Sequence, residues 1–479
     1  MQKQRLNIGL VAFAWGPNDK GGLMTHVRGI AESLTSIGHR VFVHCVDTRG
    51  SNIPFETKGW VEGSIHIQEM NYRYEDAKSL IDFQRVPQAE IILEHWARHY
   101  DLDLIDFHHN LFFGTRAIEI LSKMLPVAAT LHDYWPVDPR GQLFSSDGKN
   151  INPDDNQAWE ESLLSTWPQQ IHQSLDALEY FNQAKQLESQ SKIKSLTLKQ
   201  AWAKYSDKCL KFASAIITPS SEAAEILRKH GITCKIQVIE NGLDTSVFQK
   251  ILQTRKQTNS VAPSSFSKKT MLSITNKHTD DLSKIKISIL GTIAPHKGQL
   301  AFTKACLDKR ICDRICIQLF GPLPDSYHGD EKSQNYLKKL AIENPGFLQI
   351  KGSYERSELT EIFDQSDIVA MPSIWQEVYG FIAREALAYG LPVITTNAGG
   401  LNSLQRQNGV FLLPVEEINE WANLLSNALE KGPIRQWVSQ RREGIPVTNK
   451  PFKSVDTCAS ELSMLYQQLV HHQQVKNLG

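Results

Sequence analysis

The sequence has no apolar run approaching the ~18 residues of a membrane-spanning helix, no net charge and no even set of cysteines. Without such a run nothing crosses a bilayer as a helix, although attachment to a membrane surface stays open. Lys plus Arg and Asp plus Glu number 52 each, a balance that argues against nucleic acid as a partner. A basic cluster from Arg435 to Arg442 is the local exception, suited to an anionic surface. Seven cysteines cannot all pair. The opening MQKQRLNIGLVAFAWG also lacks the apolar core and cleavage site of a secretory leader, so a reducing, cytoplasmic setting is expected. Cys312 and Cys316 are spaced like helix neighbours with no second Cys or His pair nearby, and no metal is expected. No internal repeat is visible.

What is present is alternation of short apolar runs with helical patterns, over 479 residues that exceed a single core. Leu6 to Ala14, Val41 to Val46, Asp101 to Phe107, Pro126 to His132, Ala215 to Ser220 and Gln237 to Asp244 predict strands of a first α/β domain over 1–249. Between Leu6–Ala14 and Val41–Val46, Gly21 and Gly22 open a helix patterned by Met24, Val27, Ile30, Ala31 and Leu34. Bare backbone amides at such a helix start suit an anion. His108, His109 and His132 fall at strand ends. Asp101 and Asp103 precede their apolar run, where ligands do not collect, so a metal there is not expected. A helical insert over about 154–212 carries Trp159, Leu163, Leu164, Trp167, Ile171, Leu175, Leu178 and Phe181 at amphipathic spacing. Such a stripe is ordinarily core; Trp159, Trp167 and Trp202 also suit a membrane-surface or acceptor face. Residues 250–284, rich in Ser, Thr and Lys, predict a mobile linker before a second domain over 285–432.

The second domain centres on DIVAMPSIWQEVYGFIAREALAYGLPVITTNAGG, residues 367–400. It predicts a strand Ile368 to Met371, a loop to Gly380, a helix Phe381 to Tyr389 and a strand Val393 to Thr396 running into Gly399-Gly400. Both loops then sit at the carboxyl ends of parallel strands, where open α/β sheets bind ligands. Glu377 and Glu385 are eight positions apart. On one unbroken helix they would stand about 12 Å apart and rotated by roughly 80°, too far to share a proton, so they serve different ends. The amides of Val378, Tyr379, Gly380 and Phe381 point from the helix start toward any ligand.

This segment resembles the Glu-x7-Glu donor site of the retaining GT-B glycosyltransferases of family four, which move a sugar from a nucleotide-sugar to an acceptor. The resemblance implies a fold of two doubly wound parallel-sheet, Rossmann-like domains facing a cleft, with helices over 433–479 crossing back to the first domain. It places Glu377 beside the donor sugar's hydroxyls, Glu385 on the ribose, and Lys297, in TIAPHKGQ, on the departing diphosphate. His132, in the Thr-x-His-Asp-like segment ending PVAATLHD, is implied to lie over the reacting carbon. Gly21 and Gly22 resemble the family's N-terminal Gly-Gly loop. Two positions depart. Thr292 stands where relatives carry an Arg that holds the diphosphate, with Arg384 or His296 as expected substitutes, and Ser403 stands where many carry a Glu.

The activity implied is transfer of a hexose with retained configuration to a glycan or lipid-linked acceptor, in polysaccharide or cell-surface glycan synthesis. The donor is a nucleoside diphosphate sugar, with no cofactor or metal required. The setting is cytoplasmic, with room for peripheral attachment to the membrane's inner face. A GT-B nucleotide-sugar epimerase, a phosphorylase, or a degenerate transferase kept as a binding subunit are the alternatives.

Overall fold

A computed structural model describes residues 5–15, 21–50, 53–145, 148–166, 197–244, 284–323, 331–447 and 451–478. Nearly all of the expected linker lies outside them, as do Trp167, Ile171, Leu175, Leu178 and Phe181 of the insert. The chain divides into two compact units, Met1–Gly242 with Lys453–Gly479, and Leu243–Phe452.

The first unit is built on β1 (Asn7–Val11), β2 (Arg40–Asp47), β3 (Thr57–Glu62), β4 (Ile65–Asn71), β5 (Leu104–Phe107), β6 (Val127–Thr130), β7 (Ala215–Thr218) and β8 (Gln237–Val238). They form one sheet in the order β3-β4-β2-β1-β5-β6-β7-β8. Ile8 lies opposite both Val41 and Leu104, and every pairing is parallel except that of β3 with β4. The central strands are buried on both faces, which is why they read as continuous apolar runs. The β3–β4 hairpin escapes a reading by pattern. TKGWVE carries polar residues on both faces because β3 is an exposed edge, blunted by Lys58 and Glu62.

The second unit holds β9 (Ile285–Leu290), β10 (Ile315–Phe320), β11 (Leu348–Gly352), β12 (Ile368–Met371), β13 (Val393–Thr396) and β14 (Val410–Leu413). Their order is β11-β10-β9-β12-β13-β14, all parallel, with Ile289 opposite Ala370. In each sheet the strand order reverses once, between β1 and β5 and between β9 and β12. Loops leaving those strands flank the crevice where doubly wound sheets take ligands.

Three expectations change. The helix Pro433–Arg442 belongs to the second unit, and only the helix Val455–Leu478 packs in the first. There Arg441 donates to the carbonyls of Phe363 and Ser366, and Arg442 pairs with Asp367 at 2.8 Å. With Arg435 donating to the carbonyl of Glu430 at 3.1 Å, all three arginines of the basic cluster are engaged within their own unit. The terminal helix buries Cys458, Ala459, Leu462, Tyr466 and Val470; Leu465 and Leu469 only flank that face. Trp159 and Trp202 are core residues at 0% exposure, their indole N–H groups donating to the carbonyls of Val137 and Trp135, so neither supplies a membrane face. None of the seven cysteines is in a disulfide, and no helix of the described residues is long and apolar enough to cross a membrane.

Candidate active site

In the second unit the loops after β9 and β12 meet. Gly298 ends the turn Pro295–Lys297 at φ 73, and a Cβ there would fall 1.9 Å from the carbonyl oxygen of Pro372. Only glycine permits this approach, since the obstruction is backbone and the conformation left-handed. The backbone N–H groups of Ile374 and Trp375 donate to the carbonyl of His296, tying the two loops together. Lys297 is thereby carried to Glu377: Nζ lies 2.5 Å from Oε1, and 4.7 Å from the centre of the Trp375 ring.

Glu377 is buried, and its backbone is clamped as well. Gly400 N–H donates to its carbonyl at 2.6 Å, and Gly399, at φ 54, leaves no space between itself and that carbonyl. Lys297 Nζ, Ser373 Oγ at 2.9 Å and Trp375 Nε1 at 2.8 Å all donate to the same oxygen, Oε1. Oε2 accepts no hydrogen bond from the described residues.

Glu385 repeats the pattern deeper down. It is 1% exposed on the helix Phe381–Tyr389, which starts at Gly380 (φ 81) and stops at Gly390 (φ 90), as the spacing predicts. Its Oε1 pairs with Arg356 at 2.5 Å, while Oε2 is buried without a partner among the described residues. An acceptor left so costs roughly 1–3 kcal/mol. Burial, with the Glu385 charge beside it, pushes the Tyr354 hydroxyl up to about 12. Each carboxylate therefore has one oxygen held by protein and one open. Val378 and Tyr379 are buried, so their offering to a ligand is backbone; Phe381 is half-buried with its ring 4.9 Å from that of Tyr379.

The two departures find different outcomes. Thr292 is half-buried in the loop after β9, its carbonyl accepting from Gln299 Nε2 at 2.9 Å. Arg384 does not stand in for the missing guanidinium. It is 3% exposed, lies over the Tyr379 ring at 3.9 Å, and donates to the carbonyls of Tyr379 and Gly400 and to Ser403 Oγ at 2.8 Å. Ser403 thus fits a loop braced from beneath by Arg384. His296 is buried with its ring edge-on to Trp375 at 5.4 Å. Arg356 is the cation that sequence reasoning missed. It sits in a short 3-10 turn after β11 and no spacing ties it to Glu385.

The first unit gathers imidazoles. His132 follows β6, His108 follows β5, and His26 sits on the helix Gly22–Ser36. His108 Nδ1 and His132 Nε2 are 3.0 Å apart, and the His26 ring packs 4.9 Å from that of His132. Burial holds His108 down to about 3 and, with the neighbouring imidazoles, holds His132 well below its usual value. The three sets of ring nitrogens lie within 4.8 Å of one another, close enough for a metal ion to be considered. The 3.0 Å separation is hydrogen-bond length, however, so one of the two facing nitrogens carries a hydrogen and is not offered to a metal ion. His109 Nε2 donates to Asp133 Oδ2 at 2.8 Å, since its Nδ1 already accepts from the N–H of Leu111. Gly21 and Gly22 are exposed at the helix start.

Comparison with known proteins matches both halves. The family model described as Glycosyltransferase Family 4 covers residues 20–247, and that described as Glycosyl transferases group 1 covers 273–443. The D-inositol 3-phosphate glycosyltransferase of Corynebacterium aurimucosum is 32% identical over 159 residues, 31% of this chain and 36% of that protein. That of Paenarthrobacter aurescens is 26% identical over 232 residues, 47% of this chain and 50% of that protein. The matches thus span a third to a half of these relatives' length. Among solved structures, sucrose-phosphate synthase from Thermosynechococcus elongatus superposes with TM-score 0.63 at 17% identity, covering 98% of this chain and 100% of that one. Anabaena HepE in complex with UDP and glucose gives 0.51 at 16% identity, covering 99% of each. Likeness at these identities shows the fold.

Proposed function

Because the chain belongs to the glycosyltransferases of family 4 and group 1, we propose that it moves a hexose from a nucleoside diphosphate sugar to a hydroxyl of a glycan or lipid-linked acceptor, with retention of configuration. The observation that carries this is the pair of buried carboxylates, each with one oxygen saturated by the protein and the other open, on the loop and the helix that follow β12 at the strand-order reversal of the second unit. An open buried acceptor is matched by a ligand rich in hydroxyls. Glu385 takes the ribose, Glu377 the sugar hydroxyls, and His132 of the first unit the sugar near its reacting carbon.

The departing diphosphate gains negative charge as the sugar carbon becomes cationic, so the enzyme needs fixed positive potential on the leaving side. Lys297 supplies it, with amides at the start of the helix Phe381–Tyr389 and at Gly21 and Gly22. Its ammonium is already held in place by Glu377 and the Trp375 ring and needs little reorganisation. No metal is called for. Polysaccharide or cell-surface glycan synthesis is the proposed setting. The relatives named for inositol phosphate and sucrose-phosphate synthesis make a small phosphorylated acceptor the second choice.

A second possibility, a degenerate transferase retained for binding, is favoured by Thr292, whose single neutral donor replaces a guanidinium fork. Incubating the protein with UDP-sugars and an acceptor extract, then resolving products by mass, separates these. Free UDP with a heavier glycan supports transfer; an isomerised donor indicates an epimerase; bound but unchanged donor indicates the degenerate form.

A further inference from the structure

The first unit contains a line of side chains that the transfer chemistry above leaves unused. Tyr466, on the helix Val455–Leu478, donates its hydroxyl to Asp106 Oδ2 at 2.6 Å. Thr130 Oγ1 donates to the same carboxylate, 3.0 Å from Oδ1 and 2.9 Å from Oδ2. Asp106 is wholly buried on β5. Two residues on, His108 turns Nδ1 toward His132 Nε2 at 3.0 Å and Nε2 toward Asp106 Oδ2 at 3.8 Å, beyond hydrogen-bond reach but close enough for the carboxylate's charge to act on that nitrogen, which has no hydrogen-bond partner among the described residues.

These positions dictate where the protons go. An ionised carboxylate only accepts, and its charge favours a proton on the ring nitrogen facing it. His108 then carries its hydrogen on Nε2 and a lone pair on Nδ1, so His132 must donate Nε2–H across the 3.0 Å gap. His132 Nδ1 is left as an acceptor, and among the described residues nothing donates to it. The Asp106 carboxyl, pushed up to about 6 by burial, is still mostly ionised above neutral pH. His26 packs against both rings, 4.9 Å from that of His132 and 5.7 Å from that of His108, and His109 is occupied with Asp133.

The geometry points to His108 as a positioning residue: backed by Asp106, it holds His132 in the Nε2–H tautomer and so presents Nδ1 as an acceptor to a hydroxyl of the bound sugar. This rests on the proposal that His132 meets the donor sugar. Tyr466 and Thr130 hold the carboxylate in place, so that its charge rather than a hydrogen bond biases the His108 ring.

The test is nitrogen NMR on the full chain labelled with 15N-histidine at pH 8, with His132 assigned by the signal that disappears in His132→Asn. In the wild type His132 Nδ1 should be pyridine-like and Nε2 pyrrole-like. Asp106→Asn keeps the shape but offers an amide donor to His108 Nε2, which reverses the line and turns His132 Nδ1 pyrrole-like. Transfer kcat/KM should fall roughly ten- to a hundredfold in that variant, through loss of one acceptor. Tyr466→Phe keeps the carboxylate and should leave the tautomer unchanged even where it lowers the melting temperature, a split that a purely structural role does not produce. A pyrrole-like Nδ1 in the wild type, or a tautomer unmoved by Asp106→Asn, overturns the inference. Should Asp106→Asn fail to fold, the wild-type spectrum alone decides. A reversed tautomer with unchanged transfer upholds the relay and removes His132 from the sugar instead.

Discussion

Glu385→Gln separates a binding role from a structural one. The carboxylate is 1% exposed, with one oxygen on Arg356 at 2.5 Å and the other unpartnered among the described residues. Glutamine has the same size but loses the charge and one acceptor. A hydrogen bond to a charged group contributes about 1.5–3 kcal/mol, so without its charged partner the ribose should hold the nucleotide roughly 10- to 100-fold more weakly. Stability should move the other way or hardly at all. Burying a carboxylate carries a desolvation cost that a single partner offsets poorly, and Arg356, 38% exposed, can turn to water when its partner becomes neutral. We therefore expect unfolding free energy within about 1 kcal/mol of wild type, a shift of only a few degrees for a unit of this size. Titration calorimetry with UDP, run beside thermal unfolding, reads both. Unchanged affinity for UDP would remove Glu385 from the ribose. A large loss of stability alongside weakened binding would show that the carboxylate holds the fold.

Four further outcomes follow from the same geometry. Lys297→Met should cut transfer about 10²- to 10³-fold with a smaller change in donor KM, because it removes a donor aimed at charge that develops during reaction; equal loss in binding and turnover would contradict this. Glu377→Ala should lower kcat more than it weakens UDP binding, with Glu385→Ala the reverse, as measured by steady-state kinetics and calorimetry. Thr292→Arg should raise donor affinity about tenfold through a bidentate hold on phosphate, and no gain would mean the diphosphate lies elsewhere. Acid should destabilise the first unit. Burial lowers His44 and His108 to about 3 from an ordinary 6.5, so the unfolded chain binds more protons below pH 6.5 and each costs about 2 kcal/mol at pH 5. Asp106, raised by burial to about 6, opposes this: its contribution is full below its ordinary 3.8, is lost as pH rises through 6, and amounts to about 1.4 kcal/mol at pH 5. Urea unfolding at pH 8 and pH 5 should differ by about 3 kcal/mol or more, and His44→Phe should recover about 2 of it.

The sequence shows most where physics is local. The helix Phe381–Tyr389 is bracketed by two glycines at positive φ, and its limits are readable to the residue. The buried parallel strands are readable as apolar runs. Lys297 and Glu377, 80 positions apart, are paired in the sequence only through resemblance to a family; the close approach of Gly298 to Pro372 is what brings them together. The partners that give the sites their electrostatics stay hidden. Arg356 reaches Glu385 from another strand's exit, and Tyr466 reaches Asp106 from 360 residues away. Neither distance leaves a periodic trace. Arg384 misleads because a guanidinium in a donor helix invites a phosphate role, whereas burial and three acceptors turn it into a brace. Trp159 belongs to a stripe that its spacing marks as core, and there it lies; the alternative of a surface face fails for it and for Trp202 because both indoles find carbonyl partners in the interior.

The most direct measurement is a crystal structure of the protein soaked with UDP. The ribose hydroxyls should lie within hydrogen-bond reach of Glu385 Oε2, with the diphosphate beside Lys297 and the loop after β9. Nucleotide density on another surface, or a donor pocket in which Glu385 Oε2 stays unpartnered, would contradict the assignment of these carboxylates to a sugar nucleotide.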